Sequence, residues 1–354
     1  MTNSKLRRNG RVVVLGGYGA VGRVTAQALA GRFPGRVVVA GRDGDRAARL
    51  AAGSGGTLLA AQADLADPAS LERALDGAGL AVLAVEPRTA AQHPARLLFE
   101  HGVGLVDVAA THRMIRCVEQ LGGLARSRGA TAVLSVGVAP GLTNLLARRL
   151  HDELGGADRI DLSVLLGSGE AHGKDSVRWT VSQLAEGNQE SARPLRAGMG
   201  PSGRARMHHA FPFSDQYTLR RTLDVPEVTT RLSLDSGFLT GLLFGMRGAG
   251  VFRAARLARL EAPLTSAITR VHVGGEDFAV RADAHFHGRH AARALTARSQ
   301  TRITGLVAAE VAARVLAGGL PEGVHHIEQL DSLADVPSAL AGAGLTSWRI
   351  GAGA

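Results

Sequence analysis

Short runs of apolar, β-branched residues alternate with longer segments of helical periodicity through the N-terminal part of the chain. Such alternation predicts βαβ units, because each parallel strand needs a crossover helix before the next one. The predicted strands are 11–15, 36–40, 57–61, 80–85, 104–108 and 131–136, and the predicted helices between them are 20–32, 46–52, 68–75, 90–101 and 114–128. Together they indicate one doubly wound α/β domain of the Rossmann type.

The pattern changes after Gly137. Strand-like runs are no longer separated by regular helical segments, so an antiparallel sheet with helices on one face is the better prediction. We expect a helix at 141–153, strands at 159–166, 228–234, 267–273 and 278–286, a long loop at 187–212 and an amphipathic helix at 299–316. A length of 354 residues suits two domains, a dinucleotide-binding Rossmann domain over 1–150 and an α+β substrate and catalytic domain over 151–298.

Composition narrows the class of protein further. The chain has no secretory h-region, no apolar stretch of membrane-spanning length, and Cys117 as its only cysteine. We therefore expect a cytoplasmic protein with no disulfide and no membrane partner.

The net charge of +10 raises the question of a nucleic-acid partner. All but two of the 41 basic residues are arginine, and only 4% of the residues are aromatic. This indicates a general compositional bias rather than a surface for phosphates and stacked bases, so we expect no nucleic-acid partner.

A glycine-rich motif follows the first predicted strand and opens the first predicted helix. In its G-x-G-x-x-G pattern, the first glycine permits a tight turn, the second lets the backbone approach a pyrophosphate, and the third allows close packing of helix on strand. The helix N-terminus faces the same anion. The predicted cofactor-binding residues of this motif are Gly17, Tyr18, Gly19, Ala20, Val21 and Gly22.

The residues after the second predicted strand bear on the choice between NADP and NAD. An acidic residue about 20 positions beyond the motif would bind the ribose hydroxyls of NAD, but Arg42 holds that place and Asp43 follows it. A guanidinium suits the 2′-phosphate of NADP, which is therefore favoured, although a shift of one residue would bring in the Asp43 carboxylate. Asp64, after the third strand, either meets the adenine side or is an ordinary turn residue.

Several segments resemble the saccharopine dehydrogenase-like family of NAD(P) oxidoreductases. These are the glycine motif with its strand at 14–22, the second strand at 38–42, the segment 105–109, the Pro-Gly junction at 137–144 and the closing segment 323–330. The resemblance implies a Rossmann domain with an inserted α+β domain, so that about 299–354 return to complete the first domain. It also implies hydride transfer at an imine carbon or, in other relatives, reduction of a C=C bond.

Ligands of an open α/β sheet bind beyond the carboxyl ends of its strands. We therefore expect the nicotinamide near Glu86 and Pro87, after the fourth strand, and near Asp107, after the fifth. Pro87 equally fits a plain loop proline. Asp107 is a candidate for proton transfer or for binding an amine, or else an ordinary strand-end cap.

The segment 167–176 is the most suggestive part of the second domain, because a glycine-flexed loop there is rich in ionisable residues. His172 and Lys174 are its candidate catalytic residues. A histidine titrates near neutral pH, and Lys174 is the only lysine beyond the N-terminal tail in a chain that otherwise uses arginine. Chance retention of one lysine is the alternative.

These features predict an NADP-dependent reductase acting on an imine formed from an amine and a carbonyl compound. Arginines in or near the segment 187–212 either bind a carboxylate of the small-molecule substrate or, for most of them, belong to a solvated charged loop. The alternatives are an enoyl reductase and a redox-silent NADP-binding regulatory protein. We expect a homodimer, and no metal, because the histidines do not fall at metal-ligand spacings.

Overall fold

The computed structural model describes residues 10–87, 89, 93–170, 174–186, 192–200, 204–269 and 274–351. The chain divides into two units. The first comprises Met1–Gly137 and Thr304–Val336, and the second comprises Val138–Ile303 and Pro337–Ala354. The unit boundaries therefore differ from the predicted domain limits at 150 and 299, and the last residues of the chain do not complete the first unit.

A seven-stranded parallel sheet forms the centre of the first unit. Its strands are β1 (Arg11–Leu15), β2 (Val37–Gly41), β3 (Leu58–Gln62), β4 (Ala78–Leu83), β5 (Gly104–Asp107), β6 (Thr131–Leu134) and β13 (Gly323–His326), in the order β13-β6-β5-β4-β1-β2-β3. Consecutive residues Val12, Val13 and Val14 of β1 are all fully buried, as expected for a sheet covered on both faces. The strand order reverses at β1, which places the ligand-binding switch point at its carboxyl end.

The first unit's helices before β13 are short and mostly match the predicted ones. They are Ala20–Arg32, Gly44–Ala52, Pro68–Ala74, Ala95–Glu100, His112–Glu119 and Gly122–Ser127. The single helix predicted over 114–128 is two helices, because Gly122 and Gly123 weaken the helix at that point.

The helix Gln300–Ala317 belongs to the first unit from Thr304 onward. Gly305 is its point of close approach to the helix Ala20–Arg32, since a Cβ at position 305 would lie 2.7 Å from the Cβ of Val24. The hydroxyl of Thr25 donates to the Gly305 carbonyl oxygen over 3.1 Å. The C-terminal helix therefore supports the helix that follows the glycine motif.

A seven-stranded mixed sheet forms the centre of the second unit. Its strands are β7 (Arg159–Leu166), β8 (Leu195–Ala197), β9 (Arg206–Ala210), β10 (Glu227–Leu234), β11 (Asp277–Phe286), β12 (Arg289–Arg298) and β14 (Thr346–Ile350), in the order β14-β12-β11-β7-β10-β9-β8. Most neighbours run antiparallel as predicted, but β7 and β10 are parallel. Strands β8 and β9 occupy part of the predicted loop 187–212, because short polar strands leave no apolar alternation in the sequence.

The C-terminal strand explains the difference in unit boundaries. β14 pairs antiparallel with β12, with Trp348 opposite Ala294, so the end of the chain extends the second sheet. Between β13 and β14 lie one helical turn, Val336–Ala339, and three short 3-10 segments: Ile327–Gln329, Asp331–Leu333 and Ala341–Ala343.

The remaining helices of the second unit are Thr143–Leu154, Lys174–Ala185, Asp215–Thr222, Gly237–Gly248, Val251–Leu257 and Glu261–Thr269. The first of these packs on β11 and β12 and so belongs with the second sheet. The strand predicted over 267–273 is wrong for residues 267–269, which belong to the helix Glu261–Thr269. Residues 270–273 lie outside the described part of the chain. Packing against Lys174–Ala185 overrides the local strand propensity of residues 267–269.

Candidate functional site

The glycine motif forms the turn between β1 and the helix Ala20–Arg32. Gly16, just before the motif, has a left-handed φ of 80°. Added Cβ atoms would lie 2.3 Å from the Gly16 carbonyl oxygen at position 22 and 2.8 Å from the Val14 carbonyl oxygen at position 17. These contacts exclude side chains at Gly17 and Gly22, and they bring the start of the helix directly against the end of β1.

The N-terminus of this 13-residue helix is uncapped by side chains. Its N-cap is Gly19, and its first turn contains no acidic residue. In the described part of the chain, no side-chain oxygen accepts a hydrogen bond from the amides of Ala20, Val21 or Gly22. Unpaired N–H groups at the positive end of a helix dipole form an anion site of the kind that binds a pyrophosphate.

Tyr18 lies across the end of β2. A Cβ at Gly41 would lie 2.5 Å from the tyrosine ring, so the ring depends on glycine at that position. The Tyr18 hydroxyl oxygen accepts a hydrogen bond from the Asp43 amide over 3.0 Å. The guanidinium carbon of Arg46 stands 4.5 Å above the ring centroid, a cation–π contact. Tyr18 therefore joins the glycine motif to the segment after β2.

Arg42 and Arg46 place two exposed guanidinium groups in this segment. Neither forms an ion pair with any residue that the structure describes. The carboxylate between them is directed elsewhere, because Asp43 Oδ1 accepts the Arg46 amide over 2.9 Å as the N-cap of Gly44–Ala52. The local charge is therefore positive, which favours a phosphate over a ribose hydroxyl.

Asp64 closes a turn after β3. Its Oδ1 accepts the Ala66 amide over 3.0 Å, and its own amide donates to the Ser70 hydroxyl over 3.3 Å. These contacts are those of an ordinary turn aspartate, the alternative left open by the sequence.

Glu86 lies just beyond β4, beside the buried Pro87. Burial raises the pKa of Glu86, as does the negative charge of Asp107, while the Thr111 hydroxyl lowers it. Its Oε2 accepts the Ala110 amide over 3.2 Å, and its buried Oε1 has no hydrogen-bond partner among the described residues. A carboxyl group with a raised pKa and an unpaired oxygen suits a polar ligand group at this edge of the sheet.

Asp107 ends β5 and is 1% exposed. Its Oδ2 lies 3.0 Å from His93 Nε2, and its Oδ1 accepts the Ala109 amide over 2.8 Å. Since His93 Nδ1 accepts the Ala95 amide over 3.2 Å, the ring proton is on Nε2 and is donated to the carboxylate. Both carboxylate oxygens are therefore engaged within the first unit.

A second buried chain of hydrogen bonds lies at the ends of β6 and β13. Ser135 has a left-handed φ of 57°, and its Oγ lies 2.8 Å from His326 Nδ1. His326 Nε2 lies 2.9 Å from Glu119 Oε1. A carboxylate only accepts, so Nε2 carries the proton and Nδ1 accepts from the serine hydroxyl. This chain ties β13 to the turn that leaves β6.

Glu170, in the glycine-flexed loop of the second unit, has a structural role. Its carboxylate oxygens accept the amides of Gln300 and Thr301 over 2.8 Å each. It therefore caps the N-terminus of the helix Gln300–Ala317.

His172 lies outside the described residues, and Lys174 is the first residue of a helix. Their roles in proton transfer stay predictions. The start of their loop is anchored by Asp235, whose carboxylate accepts the Ser168 amide over 3.0 Å and the Gly275 amide over 2.6 Å. These hydrogen bonds oppose the effect of burial and leave the pKa of Asp235 below its usual value.

His208, on β9, is a fully buried histidine of the second unit. Burial lowers the pKa of His208 to about 4, and the charges of Arg281 and Arg231 act in the same direction. Neither ring nitrogen has a hydrogen-bond partner among the described residues. The ring is therefore neutral near pH 7 and belongs to the interior of the second unit.

Sequence reasoning missed Arg46, His93 and the Ser135 chain. A signal existed for Arg46: it stands three residues after a helix-capping aspartate, so it lies in the first turn near the end of β2. His93 and the Ser135 chain carry no such local signal, because their partners come from other strands.

Among the described residues, no group of three or more His, Cys, Asp or Glu side chains is placed to hold a metal ion. In the same part of the chain, no helix combines the length and the apolar character that crossing a membrane requires.

Residues 12–133 match the family model of the saccharopine dehydrogenase NADP binding domain. The chain has no significant match among curated proteins. Among solved structures it is similar to apo saccharopine dehydrogenase (L-Glu forming) from Saccharomyces cerevisiae, with a TM-score of 0.66 and 15% identity over 97% of this chain and 100% of that one. At this identity the structural likeness shows the fold alone.

Two further structures show weaker likeness. The DAP dehydrogenase of C. glutamicum has a TM-score of 0.45 and 12% identity, covering 94% of this chain and 98% of its own. The 3-hydroxyacyl-CoA dehydrogenase type-2 of Mycobacterium avium has a TM-score of 0.30 and 16% identity, covering 35% of this chain and 72% of its own.

Proposed function

We propose that this chain is an NADP-dependent reductase of the saccharopine dehydrogenase-like family and that it reduces an imine formed from an amine and a carbonyl compound. The match of residues 12–133 to the saccharopine dehydrogenase NADP binding domain supports this proposal. NADPH, when bound, supplies the hydride for the imine carbon. The protein must hold the dinucleotide, select its 2′-phosphate and provide a proton to the product amine.

The observation that carries the proposal is the uncapped N-terminus of the helix Ala20–Arg32. A side chain at Gly17 or Gly22 would collide with backbone atoms, so the loop keeps its main-chain amides open to a ligand. An acidic residue in the first turn would repel a pyrophosphate, and this turn has none. The residues present therefore fit the dinucleotide that the family binds.

Arg42 and Arg46 support NADP as the preferred dinucleotide. Both guanidinium groups are exposed, and Asp43 is occupied as a helix cap. Stacking on Tyr18 orients Arg46 in advance, which lowers the entropy lost when it binds a phosphate. NAD has no 2′-phosphate to neutralise these two charges.

Glu86 is the residue of the first unit that we propose as a proton donor, because burial raises its pKa and its Oε1 is unpaired among the described residues. Asp107 is engaged at both oxygens, which supports a positioning role for it. His172 and Lys174 are our proposed proton-transfer residues of the second unit.

The substrate class that we propose is a carboxylate-bearing adduct of an amine and a carbonyl compound. The yeast structure is that of an L-Glu-forming saccharopine dehydrogenase, and we extend only the amino acid character of its product to this chain. The surplus of arginine in the second unit agrees with an anionic substrate.

NADPH consumption with panels of amines and carbonyl compounds tests the proposal. We expect the NADPH absorbance to fall only when an amine and a keto acid or aldehyde are present together. Consumption with a conjugated enoyl compound alone would replace imine reduction by C=C reduction. Tight binding of NADPH with no consumption by any pair would support a redox-silent regulatory protein and overturn the proposal.

A further inference from the structure

The helix Gly237–Gly248 presents an apolar face to solvent. Its opposite face holds it to the second unit: the Thr240 hydroxyl accepts the Leu234 amide over 2.9 Å, and Phe244 stacks on His209 with ring centroids 4.5 Å apart. The exposed positions follow the helical period and contain no polar side chain. They are Gly237, Phe238, Gly241, Leu242, Gly245 and Gly248.

Two side chains of this face are unusually exposed for their type. Phe238 is 78% exposed and Leu242 is 49% exposed. A helix on the surface of a globular protein normally buries its apolar side and turns polar residues outward. Here the outward side is the apolar one, which marks an interaction surface rather than a scattered exposed residue.

The neighbouring helix Val251–Leu257 adds cations to the same chain segment. Leu257 is 81% exposed, and the exposed Arg253 and Arg259 form no ion pair with residues that the structure describes. Arg256 is nearer to acidic groups, at 3.6 Å from Glu186. Between Ser236 and Leu260 the sequence contains four arginines and no acidic residue.

We propose that the helices Gly237–Gly248 and Val251–Leu257 form a docking surface for an anionic lipid bilayer. Exposed Phe and Leu on one helix, with the unpaired Arg253 on the next helix and Arg259 just after it, are the combination that binds the headgroup region of a membrane. The first helix has 12 residues and is about 18 Å long. This is too short to cross the bilayer core of about 30 Å, so we expect the helix to lie along the membrane surface. The basic net charge of the chain, +10, acts in the same direction.

A second copy of this chain fits the surface less well. Two identical surfaces would bring the unpaired Arg253 and Arg259 of one copy toward those of the other, and like charges repel. Lipid phosphates instead neutralise these charges and leave the apolar side chains among acyl chains.

Vesicle co-sedimentation of the full chain tests this surface. We expect binding to phosphatidylcholine vesicles that contain phosphatidylglycerol, little binding to pure phosphatidylcholine, and release at high salt. A Phe238→Trp variant should show a blue shift of tryptophan emission when the anionic vesicles are added, because the indole enters an apolar environment.

Two double variants separate the apolar and the charged contributions. Phe238→Ser with Leu242→Ser, and Arg253→Glu with Arg259→Glu, should each weaken binding to the anionic vesicles by about tenfold or more. The matched controls are Met207→Ser and Arg73→Glu, which change an exposed apolar and an exposed basic residue elsewhere. They should leave binding unchanged, and thermal unfolding confirms that every variant is folded.

Absence of vesicle binding, or binding that ignores lipid charge and both double variants, would overturn the proposal. So would a dimer that the Phe238→Ser with Leu242→Ser variant converts to monomer in light scattering, since the surface would then join two copies. None of these outcomes depends on NADPH oxidation, so the proposed reductase activity is tested separately.

Discussion

At the scale of single residues, cofactor choice depends on where the charges after β2 are held. The Asp43 carboxylate caps a helix and the Arg46 guanidinium stacks on Tyr18, so two neighbours with opposite charges have different roles. Arg42 remains exposed beside them. This arrangement predicts that Arg42 and Arg46 together bind the 2′-phosphate of NADP.

Replacement of both arginines tests that prediction. Arg42→Ala with Arg46→Ala should weaken NADPH binding by about 10-fold to 100-fold, the worth of lost charge-assisted hydrogen bonds, and change NADH binding little. Calorimetric titration of both cofactors measures this difference. Arg49→Ala is the control, because Arg49 is exposed on the same helix and forms no ion pair with described residues. An equal loss for both cofactors would contradict the assignment.

Proton transfer in the second unit is also a residue-scale prediction. If His172 or Lys174 acts as acid or base, His172→Ala or Lys174→Met should lower turnover by about 10²-fold to 10⁴-fold and leave NADPH affinity nearly unchanged. Steady-state kinetics and cofactor titration measure the two effects. If both variants keep wild-type turnover, proton transfer belongs to another group, and Glu86→Gln is then the variant to examine.

The buried His208 predicts a dependence of stability on pH. Its pKa is about 4 in the folded protein and near 6.5 in the unfolded chain, so only the unfolded chain binds a proton between these values. Its contribution to stability is therefore complete above about pH 6.5 and is lost as pH falls toward 4. The loss amounts to about 3 kcal/mol.

Urea denaturation at about pH 7.5 and about pH 4.5 measures this loss. His208→Gln should lose less stability on acidification than the wild type, whereas the exposed His101→Gln should lose the same amount. If His208→Gln and the wild type lose the same free energy of unfolding on acidification, the burial of His208 does not control this pH dependence.

At the scale of elements, the anion site that we propose at the start of the helix Ala20–Arg32 depends on close packing of that helix against β1. The close contacts at Gly22 hold the helix start against the strand end, and Gly305 brings the C-terminal helix against its side. One helix thus depends on two glycines far apart in the chain, and its geometry should be sensitive to a single added methyl group.

Gly22→Ala tests the close contact. Its Cβ would lie 2.3 Å from the Gly16 carbonyl oxygen, so the helix must shift, at a cost of about 1–3 kcal/mol and with reduced NADPH affinity. Gly31→Ala in the same helix is the control: its Cβ meets nothing within 4 Å, and it should stabilise the helix by up to about 1 kcal/mol. Equal thermal shifts for the two variants would refute the packing argument.

At the scale of the whole molecule, the chain passes from the first unit to the second, back to the first and again to the second. The last passage contributes β14, an edge strand of the second sheet. The NADPH-binding residues proposed here and the last residues of the chain therefore belong to different units.

Deletion of residues 341–354 should lower the stability of the second unit and leave that of the first unit unchanged. We expect NADPH affinity to stay within about twofold of the wild type, while the second unit unfolds at lower temperature because β12 loses its neighbour. NADPH at about 100 times its Kd should still raise the stability of the first unit by about 2.7 kcal/mol. Calorimetry with and without NADPH follows both transitions, and loss of NADPH binding on truncation would contradict this division.

The sequence alone was sufficient for the parallel Rossmann sheet, the glycine motif and the positive charge after β2. These features depend on local patterns. Apolar periodicity predicts the strands and helices, and the glycine spacing from Gly17 to Gly22 predicts the tight turn between the first strand and the first helix. The predicted bounds of β1 and β7 are those of the structure.

The tertiary structure alone decided the parallel pairing of β7 with β10, the place of β14 and the partners of Asp107. Strand order and pairing depend on contacts between segments distant in sequence, and short polar strands such as β8 carry no period to reveal them. The charge state and availability of a carboxylate likewise depend on burial and neighbours, which only folding brings together.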